Sequence, residues 1–460
     1  MINIDFDRIK EFLKVKWNFL IFIVFIKIII LLTYLLLDFQ YFFRSICSFA
    51  DHLYYTEFGV AISNGYFPLN QKTLGQPLIM APFFYFFKPD YAGTLYEPMK
   101  FIIYLNVLHY TSNYAIAYIL GFLVPLIPVS QSIILSWAIF NSLILGSLAT
   151  LALYKIINNI LDNEKIALYS ALIFCLYPFI FIFSFPKFIH MTGILELSDF
   201  TSLAFILFST YFFTKIEKKD ENEENSSYFD YILLAMFLGF AVLIRFSNVL
   251  IIICFIVFIL FSRKFINYFH DFKEDNNIFT SFLKSFYEIL KDKKKFLISI
   301  LIIAIIVSFQ LIYNMIHFGG FLTFGYTWYY DHFYRFQWLL EDFRELGFIG
   351  IDYAILTPNG YFSTTYVLNS LLAIMSGFLI EIIIGIIAII FLIYRREKIL
   401  PFIISWLLLF IFFYSFQGFT QLEMEAIRFL MPIIPAFCIL IGIVVFVLIE
   451  RNFDWIKEKT

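Results

Sequence analysis

Residues 429–449 read FLMPIIPAFCILIGIVVFVLI, an apolar run without a single charged side chain. An α-helix needs about 20 apolar residues to cross the hydrocarbon core of a bilayer, so this run predicts a membrane-spanning helix. The same criterion predicts nine further spans, at 17–37, 131–155, 165–185, 194–214, 229–245, 247–262, 296–315, 366–394 and 399–415. The sequence therefore predicts an all-α polytopic membrane protein.

The composition of the chain requires lipid as its solvent. Of the 460 residues 61% are hydrophobic and 15% are charged, and Phe alone occupies 64 positions. A soluble protein has no interior large enough for that much apolar surface, so residues 1–460 are predicted to form a single integral membrane domain. The net charge of −2 gives no sign of a nucleic-acid partner. The four cysteines form no C-x-x-C pair, so neither a disulfide framework nor a zinc site is indicated.

Lysine and arginine predict the orientation, because they remain on the cytoplasmic side of a membrane. Ten spans with a cytoplasmic N-terminus place every strongly basic segment inside, namely 1–16, 263–295, 395–398 and 451–459. Both termini are then cytoplasmic in a multi-pass protein of the cell membrane. The first span is not followed by an A-x-A cleavage site, so it is interpreted as a retained helix. The charged run 215–227 is interpreted as a solvated cytoplasmic turn.

Two long segments are predicted to be external, the first loop 38–130 and the aromatic-rich loop 316–365. Within the first loop the apolar pieces 77–87 and 101–129 are ambiguous. The second is long enough to cross, but Tyr, Asn, His, Ser and two prolines interrupt it. A single crossing by 101–129 would place the later basic loops outside the cell. The piece 101–129 is therefore interpreted as a non-crossing or twice-dipping element.

The stretch ADHLYYTEFGVAISNGYFP, residues 50–68, is more polar than its surroundings. At helical spacing Tyr54, Phe58 and Ala61 share one side, which predicts a helix in the interfacial plane with its apolar face in lipid. Asp51, with Tyr55 on a neighbouring side, would stand at the N-terminus of this helix, where the helix dipole favours a carboxylate. The alternative is that Asp51 is only an N-cap.

Two arginines stand at apolar junctions on the predicted external face. Arg245, in AVLIRFSNVL, separates two apolar runs, and Arg428 precedes the last span. An arginine in hydrocarbon costs about 3 kcal/mol even on generous scales, unless it meets an anion such as a lipid phosphate. Snorkelling of each side chain to the interface is the alternative.

Further polar and aromatic residues lie at this predicted face. In FIHMTGILELSDF, Glu196 and Asp199 are three residues apart and share a helix face, close to His190. They could coordinate a metal or orient a substrate, or they could serve as caps with buried hydrogen bonds. The aromatic side chains of 314–336 could stack on sugars or form an interfacial belt.

Five stretches, taken in order, resemble the GT-C superfamily of polytopic glycosyltransferases, which includes protein O-mannosyltransferases and the aminoarabinose transferases that modify lipid A. They are DHLYYTEFGVAISNGYFPLNQKTLGQPLIMAP (51–82), LYPFIFIFSFPKFIHMTGILELSDFTSLAFILFSTYFF (176–213), LGFAVLIRFSNVLII (238–252), YNMIHFGGFLTFGY (313–326) and RFLMPIIPAFCILIG (428–442). Phe429 stands where the family often has Tyr, and Asp199 where Glu is common. The resemblance implies a bundle of about 10–12 transmembrane helices with amphipathic helices in the first external loop.

The resemblance implies that a sugar, most commonly mannose, moves with inversion from a polyprenyl phosphate such as dolichyl phosphate to an acceptor hydroxyl outside. Asp51 would be the general base, followed by Tyr55 in the same motif. The other implied site residues are Arg245 and Arg428 for the phosphate, with Lys72 and Lys187 as weaker candidates, Asp199 or Glu196 for orienting a substrate, and His52 and His190 for assistance or metal binding. No cofactor is required, although a divalent cation is possible. The sugar, and whether the acceptor is a glycan, a lipid or a protein, stay open.

Two other functions compete with this interpretation. A transporter or flippase of a solute or lipid carrier would need ionisable residues near mid-membrane on several helices, and Lys27 and Glu381 are among the few available. A non-catalytic protein of the GT-C fold could bind the lipid carrier alone.

Overall fold

The computed structural model describes a helical protein over residues 19–30, 32, 50–67, 73–87, 139–180, 198–262, 266–267, 270–271, 278–292, 295–321, 364–415 and 429–449. The helices in these ranges are α1 (Phe19–Ile30), α2 (Ala50–Ser63), α3 (Gly75–Phe87), α4 (Gly146–Leu161), α5 (Glu164–Ile180), α6 (Ser198–Glu221), α7 (Tyr228–Ile244), α8 (Leu250–Leu260), α9 (Ile278–Asp292), α10 (Phe296–Phe318), α11 (Thr364–Gly377), α12 (Leu379–Tyr394), α13 (Ile399–Ser415) and α14 (Ile434–Ile449). The π-helical turn Ile139–Leu145 leads into α4, and short 3₁₀ turns at Phe246–Val249 and Met431–Ile433 lead into α8 and α14. No strand occurs in the described ranges, which confirms the predicted all-α class.

Helical structure is present at each of the ten predicted spans. Three helices are long and apolar enough to cross a membrane, at Phe140–Leu161, Phe296–Phe318 and Met431–Ile449. The pair Val367–Gly377 and Leu379–Tyr394, bent by 81°, makes a fourth if it forms one span. Shorter apolar helices account for other predicted spans, including α1, α7 and α13. The number of crossings and the sidedness of the termini stay predictions, and 101–129 lies outside the described residues.

The helices of the bundle differ in how much of their surface faces outward. The last helix, α14, is buried along most of its length, and a continuous apolar cluster links it to α4, α5, α6, α12 and α13. In contrast, α10 exposes Ile300, Leu301 and Phe309 by more than half of their surface. An exposed apolar row of this kind would promote aggregation in water, but it is compatible with contact with the hydrocarbon of a bilayer.

Contacts of the described residues place the predicted cytoplasmic segments 215–227, 263–295 and 395–398 at one end of the bundle, called here the basic end. Charged contacts at this end join the segment 215–227 to neighbouring turns. They are Lys215–Asp230 at 2.8 Å, Lys219–Asp230 at 3.1 Å, Lys218–Asp162 at 2.6 Å and the ion pair Lys398–Glu221. The Lys295 ammonium also donates to the Ser226 carbonyl at 2.8 Å. The grouping of 215–227 with 263–295 and 395–398 therefore agrees with the predicted alternation of the spans.

The first loop differs in one respect from the sequence-based expectation. A helix is present where residues 50–68 predict one, but Phe58 is completely buried and packs against Leu74, Leu243 and Tyr313. The prediction that this face lies in lipid is wrong for Phe58, because α3, α7 and α10 provide the apolar surface that covers it. The piece 77–87 belongs to α3, whose 13 residues span only about 20 Å and are too few to cross a bilayer.

Candidate functional site

The centre of the candidate site is an ion pair between Asp199 and Arg245 at the end of the bundle opposite the basic end. Asp199 lies in the first turn of α6, where the helix dipole favours a carboxylate. Arg245 ends α7 in an extended conformation, with φ −142° and ψ 116°. The Asp199 side chain is 3% exposed and that of Arg245 is 11% exposed. The helix break at Arg245 therefore directs a guanidinium onto the N-terminus of a neighbouring helix, and a small part of the arginine side chain remains accessible.

Aromatic and hydroxyl groups from two other segments complete the surroundings of Arg245. The Phe429 ring centroid lies 4.9 Å from Cζ of Arg245, which is a cation–π distance. The Tyr414 hydroxyl lies 2.6 Å from Oγ of Ser247 and also interacts with the Arg245 guanidinium. Since Tyr414 lies in the last turn of α13 and Phe429 precedes α14, the arginine joins the end of α7 to two segments more than 160 residues further along the chain.

The first loop docks directly onto the segment that carries Arg245. A Cβ placed on Gly75 would lie 2.3 Å from the backbone nitrogen of Ile244, so only glycine permits this approach. Thr73 Oγ1 donates to the Ile244 carbonyl at 2.7 Å, and the Leu74 amide donates to Oε1 of Gln310 at 2.8 Å. The loop and α10 therefore hold the backbone immediately before the arginine.

The polar contacts continue along α10 to the end of that helix. Gln310 Nε2 donates to Oδ1 of Asn314 at 2.8 Å, and Asn314 Nδ2 donates to the Phe321 carbonyl at 3.1 Å. Gly319, with φ +75°, ends the helix in the left-handed conformation that favours glycine. The stretches quoted above around Gly75, Arg245 and Asn314 thus meet at one place in the fold.

The first turn of α6 makes a layer of buried polar contacts beside the ion pair. Asn141 accepts from Oγ1 of Thr201 at 3.0 Å, and Asn248 Nδ2 donates to Oγ of Ser202 at 2.6 Å. The buried ammonium of Lys27 lies 5.6 Å from the centroid of the Phe200 ring. Four successive residues of α6, 199–202, therefore contact three segments, namely α1, the π-helical turn and the stretch 245–248.

Several of these residues were not predicted as site residues. Asn141 and Ser142 are fully buried in the π-helical turn Ile139–Leu145, and their polarity within an apolar run was the available signal. Such turns occur often at functional sites. Tyr414 and Ser247 gave no such signal, because a Tyr near a helix end and a Ser after an arginine are common in membrane helices.

The structure describes the positions and side chains of some predicted site residues and not of others. Asp199 and Arg245 are brought together, while the Tyr55 ring is buried in an apolar cluster with Met80 and Phe84. Asp51 and His52 lie in the first turn of α2, and their side chains are outside the described set. The predicted residues at positions outside the described ranges are Lys72, Lys187, His190, Glu196 and Arg428.

No group of three or more His, Cys, Asp or Glu residues that could hold a metal ion occurs among the described residues. The two histidines predicted to assist chemistry, His52 and His190, have no described side chain. The possible divalent cation therefore stays a prediction.

Comparison with known proteins gives one match. A family model described as dolichyl-phosphate-mannose-protein mannosyltransferase matches residues 115–271, about a third of the chain. No curated protein and no solved structure matches significantly. The matched segment contains both Asp199 and Arg245. The resemblance to the GT-C superfamily is thereby confirmed, and the match supports a membrane glycosyltransferase that uses a dolichyl-phosphate-linked sugar donor.

Proposed function

We propose that this protein transfers a sugar from a polyprenyl-phosphate carrier to an acceptor hydroxyl, with inversion, at the end of the bundle that carries Arg245. This end would face the outside of the cell. The observation that supports the proposal most strongly is the nearly buried Asp199–Arg245 ion pair, which lies within the segment matched by the family. Because a buried ion pair is often no more stabilising than apolar residues of the same size, its presence here is consistent with charges that serve a further role.

Arg245 is proposed to bind the phosphate of the donor. A guanidinium carries five N–H donors in a planar fork, so it can contact a carboxylate and a phosphate at the same time. Asp199 holds the fork in place, and the Phe429 ring supports one face of it. As the bond to the sugar breaks, the phosphate gains charge, and a fixed cation lowers the energy of that state. Arg428, next to Phe429 in sequence, is proposed as a second cation, with Lys72 and Lys187 as further candidates.

Asp51 is proposed as the general base. The packing of Phe58 holds α2 against α7 and α10, and Asp51 lies seven residues earlier, about 10 Å along the helix axis. In the proposed step the acceptor hydroxyl gives its proton to the Asp51 carboxylate. The oxygen of the acceptor hydroxyl then attacks the anomeric carbon of the sugar. The bond from that carbon to the phosphate oxygen breaks, and its electron pair leaves with the polyprenyl phosphate. Tyr55, His52, His190 and Glu196 stay candidates for contacts with substrate.

The test is Asp51→Asn in purified protein returned to membranes of the producing cell with radiolabelled dolichyl-phosphate-mannose. Loss of a general base costs about 10²- to 10⁴-fold in rate. We expect a loss of this size in label transferred to lipid, glycan and protein fractions, with unchanged binding of dolichyl phosphate. Asp162→Asn, at the basic end, is the matched control and should transfer label normally. Transfer at the wild-type rate by Asp51→Asn would contradict the assignment of the base.

The competing functions lead to different results in the same experiment. For a transporter, the buried groups of interest are Lys27 and Glu381, but Lys27 lies beside Cys175 whereas Glu381 accepts from the Tyr177 hydroxyl at 2.7 Å. Cys175 and Tyr177 are two residues apart on α5 and therefore point to nearly opposite sides of it, so Lys27 and Glu381 lie on different sides of α5.

A flippase would move the donor across the membrane of vesicles without transferring the sugar. A non-catalytic protein would bind dolichyl phosphate and transfer no label even as wild type.

A further inference from the structure

Helix α9 has an unusual distribution of exposed side chains. Phe279 is 66% exposed, Leu283 49% and Tyr287 65%, and these residues follow one another at helical spacing. Ser281 and Ser285, by contrast, are fully buried. The helix therefore turns its apolar stripe away from the protein and its small polar residues toward it.

The position of α9 in the chain brings this stripe close to the bilayer boundary. The helix connects α8, which ends at Leu260, to α10, which begins at Phe296. Both of those ends lie at the basic end of the bundle, where the Lys295 ammonium donates to the Ser226 carbonyl. The segment between those two ends, which contains α9, therefore leaves and re-enters the bundle at the basic end, where the helices meet the membrane surface.

The charge of the segment around α9 is complementary to anionic lipid. Residues 263–295 contain eight Lys and Arg residues and five Asp and Glu residues, which gives a formal charge of +3. Lys284 is exposed on α9, about 100° around the helix axis from Leu283. Long lysine side chains of this kind reach from an apolar surface to the headgroup level.

We propose that α9 lies in the membrane interface, with Phe279, Leu283 and Tyr287 in the acyl region and with Lys284 and the net positive charge of 263–295 facing anionic lipid headgroups. At 15 residues it covers about 22 Å of the surface. Interfacial helices of this type insert their apolar face about 5–10 Å below the headgroups, and their binding depends on anionic lipid. The proposal does not depend on the proposed sugar transfer.

The test places a nitroxide at Leu283→Cys in the full chain, with the four native cysteines replaced by serine or alanine. The labelled protein is placed in nanodiscs of phosphatidylcholine, with or without phosphatidylglycerol. Collision with oxygen reports lipid, and collision with a water-soluble nickel chelate reports water. We expect the label at 283 to collide mainly with oxygen, and the matched label at Lys284→Cys to collide mainly with nickel. Phosphatidylglycerol should move the label at 283 deeper.

Three results would overturn the proposal in whole or in part. Equal nickel collision at 283 and 284 would place the helix in water. Protection of 283 from both reagents would mean that protein, such as a second copy of the chain, covers the stripe. The same depth with and without phosphatidylglycerol would remove the anionic headgroup from the proposal. Replacing Lys284 and Lys291 by glutamine, with the label kept at 283, should abolish the effect of phosphatidylglycerol.

Discussion

Helix α6 carries charged contacts at both of its ends, and the two differ in their surroundings. At the N-terminus Asp199 pairs with Arg245 where both side chains are nearly buried. At the C-terminus Lys215 and Lys219 pair with Asp230, and the two lysine side chains are 34% and 29% exposed. Both arrangements follow the helix dipole, which favours an acid at the N-terminus and a base at the C-terminus.

The difference in burial is the reason for placing the proposed site at the Arg245 end. The Asp230 carboxylate is 5% exposed, but its two lysine partners are partly exposed, and ion pairs whose charges reach water contribute little to stability. A nearly buried pair requires shielding and support, and Arg245 has both from Phe429, Tyr414 and the docked first loop. The sign of the charges alone would not separate the two ends of α6.

The largest expected effect is that of Asp199→Leu. Removing one partner of a buried pair leaves an uncompensated charge, at a cost of about 3–5 kcal/mol. We expect a large fall in the free energy of unfolding, measured by denaturant titration in detergent, together with loss of sugar transfer. Asp230→Leu is the control at the other end, and it should cost much less because its lysines can turn toward water. Equal destabilisation by the two substitutions would remove the distinction between the ends.

A smaller effect, confined to function, is expected from Gly75→Ala. The new methyl group would meet the backbone at Leu243 and Ile244, so the first loop must shift away from Arg245. A displacement of about 1 Å near reacting groups can cost about 10²-fold in rate. We expect a loss of transfer approaching that size in the mannose assay. Gly65→Ala is the control, because Gly65 has φ +78° and open space around it, so it tests backbone strain without the clash. Equal activity of Gly75→Ala and Gly65→Ala would show that close docking of the first loop is not needed for transfer.

The smallest expected effect is that of Tyr414→Phe. This change removes only the hydroxyl that contacts Ser247 and Arg245, and a hydrogen bond of this kind is worth about 1 kcal/mol. We expect about a fivefold loss of transfer and a slight loss of stability. Tyr394→Phe, on an exposed Tyr at the basic end, should change neither quantity. No change from Tyr414→Phe would show that the Phe429 ring and Asp199 are sufficient to hold the arginine.

The sequence predicted the helices well, because the length of each apolar run is a local property. It also indicated Asp199 and Arg245, since a charge within an apolar run stands out wherever the run is placed. What it did not predict is which segments are neighbours. The contact of Thr73 with Ile244 joins residues 171 apart in sequence, and no periodicity encodes such a contact.

The error over α2 has the same origin. Residues 50–68 show an apolar face, but an apolar face is satisfied equally by lipid and by another helix. Phe58 packs against α3, α7 and α10, whereas Phe279, Leu283 and Tyr287 of α9 are largely exposed. Local pattern predicts that a face must be covered, and only the packing of distant segments decides what covers it.

The most direct test of the account measures binding of dolichyl phosphate to purified Arg245→Gln and Lys218→Gln proteins by native mass spectrometry. Each substitution removes one positive charge, at opposite ends of α6. Binding should be at least tenfold weaker for Arg245→Gln, because a charge-assisted contact to phosphate is lost, and should equal that of the wild type for Lys218→Gln. Wild-type binding by Arg245→Gln, or equal weakening by both, would contradict the proposed role of Arg245.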